Sequence, residues 1–531
     1  MEPFLTDLID RLRPLEVETN RAWWDAAVTG DTATYARLET LRNAHDAMLR
    51  DPALFRRLAA ARDAPQADPL VARAIALLYL EALPRQVDAE LGEEMNRLST
   101  AIEHAFSVYR PIVEGQPRTQ NDLEQVLKQE RDDARLRAAW EALKSVGPIV
   151  APQLRQLVAL RNTAARAVGY PDFYQLRLAM NEQDPVQLDA FLTRLDTLTA
   201  APFAALKGEL DAHLAERNGV APEALAPWHY QGPFFQEMPA VFGADLDEWY
   251  ADQDLLELAR RFYAGIGLDV EEILARSSLY EADGKDPHAF ATDIDREGDV
   301  RILLNLRPNE RWMGTTLHEL GHAVYDTGID RELPWMLRRV AHTLTTEAIA
   351  MLFGRLSKSA DWMAAMGIVD EAEVPALRSA TERELRGQML VFARWGLVMS
   401  HFERALYADP DQDLNRLWWD LKERIQGLTR PERPDGAAEY AAKIHIVVAP
   451  VYYHNYLLGE CFASQIDTAL RAEVLSGAET YCDQPAVGRW LRERIFHPGA
   501  RLTWDALAEA ATGSRVTPDA FAAQFLAPAT V

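Results

Sequence analysis

The sequence predicts a mostly α-helical protein: one large helical body with a small β element just before residue 310. Apolar residues recur at three- and four-residue steps, as in Leu5, Leu8, Ile9 and Leu12, in Leu123, Val126 and Leu127, and in Leu136, Trp140 and Leu143. That spacing lines one face of a helix. Alternation is confined to one short segment, residues 300–306, which follows the turn Glu297-Gly298-Asp299 and reads as a strand. The turn-rich breaks at 63–69, 221–239 and 429–436 are short and mixed in composition, so none reads as a flexible linker between domains. A single catalytic-sized unit spanning 1–531 is expected, since 48% apolar residues in 531 supply a large core.

Residues 71–83 are apolar enough for a core helix but too few to span a bilayer. Between Asp122 and Lys144 acids and bases alternate densely, which predicts a solvated helix face. Lys and Arg total 56 against 81 Asp and Glu, a net charge of −25. A chain this acidic repels phosphate backbones and anionic lipid heads, which excludes general nucleic-acid and membrane-surface binding. Only Cys461 and Cys482 occur, and the N-terminus carries acid early rather than a cationic start and an apolar run. Both features predict a cytoplasmic protein in a reducing compartment; the sequence leaves monomer and homodimer both open.

One motif dominates. Residues 316–325 contain His318-Glu319-Leu320-Gly321-His322, which puts two imidazoles a turn apart on one helix face, close enough to share a metal ion. Glu319 projects near the same face, where its carboxylate can take a proton from water. Gly314 and Gly328 bracket a helix of ordinary length. A catalytic zinc takes a third protein ligand and keeps an open position. Residues 343–353 read as a buried helix with one carboxylate, Glu347, among apolar neighbours. A lone buried carboxylate is costly unless paired or metal-bound, so Glu347 is the expected third ligand of one Zn²⁺ per chain.

These residues resemble the angiotensin-converting-enzyme family of zinc dipeptidyl carboxypeptidases and, more faintly, the thimet-type oligopeptidases. The likeness extends to Leu333-Pro334 and Arg338 ahead of Glu347-Ala348-Ile349, and to His288-Ala289-Phe290-Ala291-Thr292-Asp293 upstream of the motif. Trp140-Glu141 and residues 164–170 resemble the family's N-terminal helices, so matching segments run from about 120 to 465. The resemblance implies two helical halves flanking a deep substrate cleft. It also implies roles for several side chains. His288 would donate to the substrate backbone, and Lys443 would meet the peptide's C-terminal carboxylate. His445 would meet the peptide backbone, Tyr453 would help hold the carboxylate, and Tyr456 would donate its phenol to the developing oxyanion. Gln231 would join the carboxylate anchors.

Two positions depart from the family pattern. Where the family has an acid that orients the first zinc histidine, this chain has Met351, so another acceptor must serve His318. Where the family has a chloride-binding arginine between the paired tyrosines, this chain has Asn455, which predicts weak or absent chloride dependence. His342 and His454 receive no role. Three readings follow: a peptidyl-dipeptidase acting on short peptides, a thimet-type oligoendopeptidase or carboxypeptidase with the same zinc chemistry, and an inactive metal-stabilised peptide-binding protein. Retention of Glu319 speaks against the last, because a structural site has no use for a general base.

Overall fold

Aspartate followed by proline starts three of the helices. Asp51, Asp68 and Asp184 each accept a hydrogen bond from a backbone N–H in the first turn of Pro52–Asp63, Pro69–Ala82 and Pro185–Asn218. The carboxylate satisfies a donor that has no helical partner, and proline at the first helical position loses none. The computed structural model describes residues 3–241, 245–434 and 436–526, and most of them are helical. The fold is mostly α, as expected. Among the described residues strands form two antiparallel pairs, Ile112–Val113 with Gln116–Pro117 and Phe290–Asp293 with Val300–Leu303. No helix among them is long and apolar enough to cross a membrane. Both cysteines are free thiols.

The chain divides into two compact units, each assembled from separated stretches. One comprises Met1–Gln86, Ala244–Glu382 and Leu458–Phe521; the other comprises Val87–Gly243, Arg383–Leu457 and Ala522–Val531.

In the first unit the expected strand is shorter than 300–306. Leu304 and Leu306 leave the ladder and donate their N–H groups to the carbonyls of Ser278 and Leu279. The partner strand Phe290–Asp293 is half-buried at every position, so it carries no alternation that a pattern search could find. It is seated by Trp23, whose ring lies 4.4 Å from that of Phe290, over a core of Trp24, Ala27, Ile294 and Leu303.

The helix bearing the His-Glu-x-x-His motif, Glu310–Gly328, starts earlier than the glycine bracket suggests. Asn309 caps it by accepting from the Trp312 N–H, and Gly314 lies inside it. Gly314 and Gly321 serve close packing against the helix Thr343–Gly354 and the turn after it. A Cβ on Gly321 would lie 2.9 Å from the Ala350 Cα, and one on Gly314 would lie 2.8 Å from Ser357 Oγ. Tyr263, fully buried, holds the same motif helix by donating its phenol to the Leu317 carbonyl at 2.6 Å.

In the second unit the charged run between Asp122 and Lys144 is two helices, Gln120–Gln129 and Asp133–Lys144, separated by a break at the N-cap Asp132. Most of its charges face solvent, as expected, but Lys144 is only 2% exposed. Its Nζ sits 3.1 Å from the Phe234 ring centroid, and burial in this apolar surrounding pushes its pKa well down. The core beside it is aromatic, with Trp418 packed edge-on against Trp395 and Phe402.

The helix contact at Gly321 predicts a sharp asymmetry between glycines. Gly321→Ala drives a methyl into backbone and is expected to lower stability by about 1–3 kcal/mol. Gly459→Ala, whose Cβ would meet Met351 Sδ at an ordinary 3.5 Å, is expected to be neutral or stabilising. Chemical denaturation of both variants checks this.

Candidate metal centre

The motif places His318 and His322 a turn apart, and the structure sets their rings nearly perpendicular, at 83°, with the Nε2 atoms converging. Their Nε2 atoms are 3.2 Å apart. Glu347 Oε2 lies 3.7 Å from His318 Nε2 and 4.0 Å from His322 Nε2. A triangle with these sides has its centre about 2.1 Å from each corner, the length of a Zn–N or Zn–O bond. Among the described residues this is the one cluster of His, Cys, Asp and Glu donors that could hold an ion. The three predicted ligands are thus brought together.

What brings them together is the helix packing. Glu347 lies in the second turn of the adjacent helix Thr343–Gly354, and Gly321 lets that helix approach until backbone meets backbone. Each imidazole is then fixed from behind. His322 Nδ1 is 2.8 Å from Thr346 Oγ1. The His318 ring bonds the Ala350 backbone carbonyl. A carbonyl only accepts, so the ring nitrogen facing it carries the proton and Nε2 keeps its lone pair toward Glu347. The acceptor that Met351 cannot supply therefore comes from the backbone one residue earlier.

Burial tunes the protonation of the set. It pushes His318 down to about 4 and His322 down to about 3, His318 adding to the second shift. Both rings are neutral at pH 7, the form that can bind a metal. Burial pushes Glu347 up to about 7. It also pushes Glu319 up to about 8, with the Glu347 carboxylate adding and a hydrogen bond from the Ala291 N–H opposing. A cation at the centre of the triangle reverses the push on both carboxylates. The strand Phe290–Asp293 thereby has a task that its sequence does not advertise: its backbone holds the carboxylate of Glu319.

His288, at the start of that segment, does not join the cluster. Its side chain is 87% exposed, and its Nδ1 lies 3.0 Å from Asp286 Oδ1. His342 caps the helix Thr343–Gly354 by accepting from the Leu344 N–H at 2.9 Å.

The remaining predicted residues lie in the second unit. Lys443 is buried, and its Nζ donates to Gln236 Oε1 at 2.7 Å. Gln231, the glutamine singled out from sequence, does something else. It sits in the left-handed region at φ 58° and accepts from the Ala240 N–H. The carboxamide beside Lys443 is Gln236, five positions on, which sequence spacing missed because the chain between them winds through an irregular turn. The His445 and Tyr453 rings are 5.3 Å apart, and those of Tyr453 and Tyr456 are 5.6 Å apart. His445 Nδ1 is buried without a hydrogen-bond partner among the described residues. Such a group inside a protein is costly and marks a place where a ligand is expected to bond.

Thr346→Val removes the hydroxyl behind His322 while keeping the side-chain shape. Loss of such a support is expected to weaken divalent-ion affinity about tenfold or more, read by competition against a chelating dye.

A family model described as angiotensin-converting enzyme matches residues 2–229 and 233–528 of the chain. The chain is 24% identical over 431 residues to the angiotensin-converting enzyme of Rattus norvegicus, covering 74% of this chain and 32% of that protein. It is 22% identical over 479 residues to the angiotensin-converting enzyme of Mesocricetus auratus, covering 81% of this chain and 35% of that one. It is 24% identical over 231 residues to an angiotensin-converting enzyme-related protein of Drosophila melanogaster, covering 42% and 36%. The chain thus spans about a third of the length of these relatives. With the family model matched along nearly its whole length, the chain belongs to the angiotensin-converting-enzyme family, peptidase M2.

Proposed function

We propose that this protein is a zinc-dependent peptidase that releases dipeptides from the free C-terminus of short peptides. The observation that carries this reading is the donor set itself: two neutral imidazoles and one carboxylate around a common centre, with Glu319 buried alongside. Two rings whose Nε2 lone pairs point at one carboxylate fit a zinc ion. When bound, the ion would supply Lewis acidity, polarising the scissile carbonyl and making water nucleophilic near neutral pH.

The chain's own residues do the rest. Glu319, held by the Ala291 N–H, takes the proton of the attacking water and passes it to the leaving amine. Tyr456 donates its phenol to the oxyanion as charge develops there. Lys443 and Tyr453 take the terminal carboxylate, with Gln236 fixing the ammonium that meets it. His445 turns its unpartnered ring nitrogen to the peptide backbone. The metal-binding residues belong to the first unit and the carboxylate anchors to the second. The free thiols Cys461 and Cys482 fit a reducing, cytoplasmic location.

The test is a product analysis. Zinc-loaded protein is incubated with N-blocked tetrapeptides, free or amidated at the C-terminus, and the products are weighed by mass spectrometry. Intact C-terminal dipeptides from the free acids are expected; internal cuts in the amidated peptides would overturn the exopeptidase reading. Glu319→Gln is expected to keep its zinc and lose at least 99% of turnover. A variant retaining more than a few per cent would remove Glu319 from the role of base.

Burial pushes Lys443 down to about 8. The cation is present below that value and lost above it, so KM for peptides with a free carboxylate is expected to rise as pH climbs past about 8. Lys443→Arg stays charged and should flatten that rise. An unchanged KM profile in both proteins would argue against Lys443 as the anchor.

A further inference from the structure

The first turn of the helix Tyr453–Leu470 presents Tyr453 and Tyr456 on one side, three residues apart. His454 and Asn455, on the turn's other side, are each 1% exposed. Both are bonded by a single side chain from far away in sequence. His454 Nε2–H donates to Gln183 Oε1 at 2.7 Å, and Gln183 Nε2–H donates to Asn455 Oδ1 at 2.6 Å. Gln183 is 6% exposed and spends both ends of its carboxamide on these adjacent residues.

The backbone that presents Gln183 is specialised for doing so. The helix Phe173–Met180 ends with the Gln183 N–H bonded to the Leu178 carbonyl and the Glu182 N–H bonded to the Ala179 carbonyl. That pair of bonds is the Schellman closure, which needs a left-handed residue between helix and exit. Glycine usually fills that position; here it is Glu182, at φ 53°. A non-glycine held there is strained, and such strain persists where the surroundings over-determine it. The entry to the tyrosine helix is pinned on the preceding side as well. Val451, itself left-handed at φ 57°, donates its N–H to Glu403 Oε1 at 2.8 Å.

We propose that Gln183 is a positioning residue for the reaction: its planar carboxamide, bridging His454 and Asn455, sets the rotation of the first helical turn and so the aim of the Tyr453 and Tyr456 phenols. One bond would fix a distance; two bonds from one rigid plane to consecutive residues fix an orientation. A phenol that must meet charge as it develops tolerates little misplacement, since an error near 1 Å can cost about a hundredfold in rate. The inference rests on the reading above that Tyr456 serves the chemical step.

The experiment is a double-mutant cycle on the zinc-loaded full chain, with an N-blocked tetrapeptide as substrate and kcat and KM measured separately. Tyr456→Phe alone tests the underlying reading: an unchanged kcat would remove Tyr456 from the chemical step, whatever Gln183 does. Gln183→Leu, which keeps the bulk and loses both bonds, is expected to lower kcat at least tenfold with KM changed less than threefold and zinc content unchanged. The double variant is expected to lose little beyond Tyr456→Phe, because the two residues act through one phenol. Gln183→Glu is expected to rescue to within about threefold of the original, its oxygens accepting from His454 and from the reoriented Asn455 amide. If Gln183→Leu does not fold, Gln183→Asn, one methylene too short to bridge both partners, carries the same expectation. With Tyr456→Phe impaired, three results overturn the proposal: an undiminished kcat in the bond-breaking variant, losses that multiply in the double variant, or a change confined to KM.

Discussion

The closeness of two helix backbones underlies the whole metal centre. The motif helix can offer two imidazoles by its own periodicity, but two ligands do not hold a catalytic ion; the third must come from another element. Gly321 against Ala350 is the contact that allows it, because a side chain at that point would collide with backbone rather than with a movable group. The same approach delivers the supports behind the rings. Thr346 and Ala350 flank Glu347 on one helix and bond His322 and His318 on the other. Ligand and supports therefore move as one body, so packing at Gly321 is also control of ring orientation.

Burial is the second constraint, and it acts in opposite senses on the two chemistries present. It keeps the imidazoles neutral, which metal binding requires, and it raises both carboxylates, which a bound cation reverses. The centre is thus built to be electrostatically completed by a positive ion. In the second unit the same physics acts on cations. Lys144 and Lys443 lie against aromatic rings, and burial lowers both. For Lys443 an anionic partner would restore the charged form.

At both departures from the family pattern other groups supply the hydrogen bonds that the structure shows. The position of Met351 has no acid, and a backbone carbonyl next to it serves His318 instead. Asn455, in place of a charged side chain, is joined to Gln183 in a buried arrangement that includes His454. These neutral amides and the imidazole avoid the desolvation cost that an isolated charge would carry, although Asn455 Nδ2 has no hydrogen-bond partner among the described residues.

Much of this was legible in the chain because it is local. Two histidines four residues apart and a lone acid in an apolar helix act within a turn or two, so the sequence alone determined the helices and the donor residues that the structure brings together. Tertiary structure decided the rest, for physical reasons that differ by residue. The Ala291 N–H and the Ala350 carbonyl belong to backbone, which every residue possesses, so no side-chain pattern marks them. Gly314 read as a boundary because glycine's missing side chain looks the same whether it ends a helix or admits a neighbour. Lys144 read as solvated because a charge run says nothing of which member meets an aromatic core. Gln231 and Gln236 are chemically identical, and only the path of an irregular turn selects between them. Gln183 meets Asn455 across 272 residues, a pairing that local periodicity cannot encode and that exists only once the chain has closed on itself.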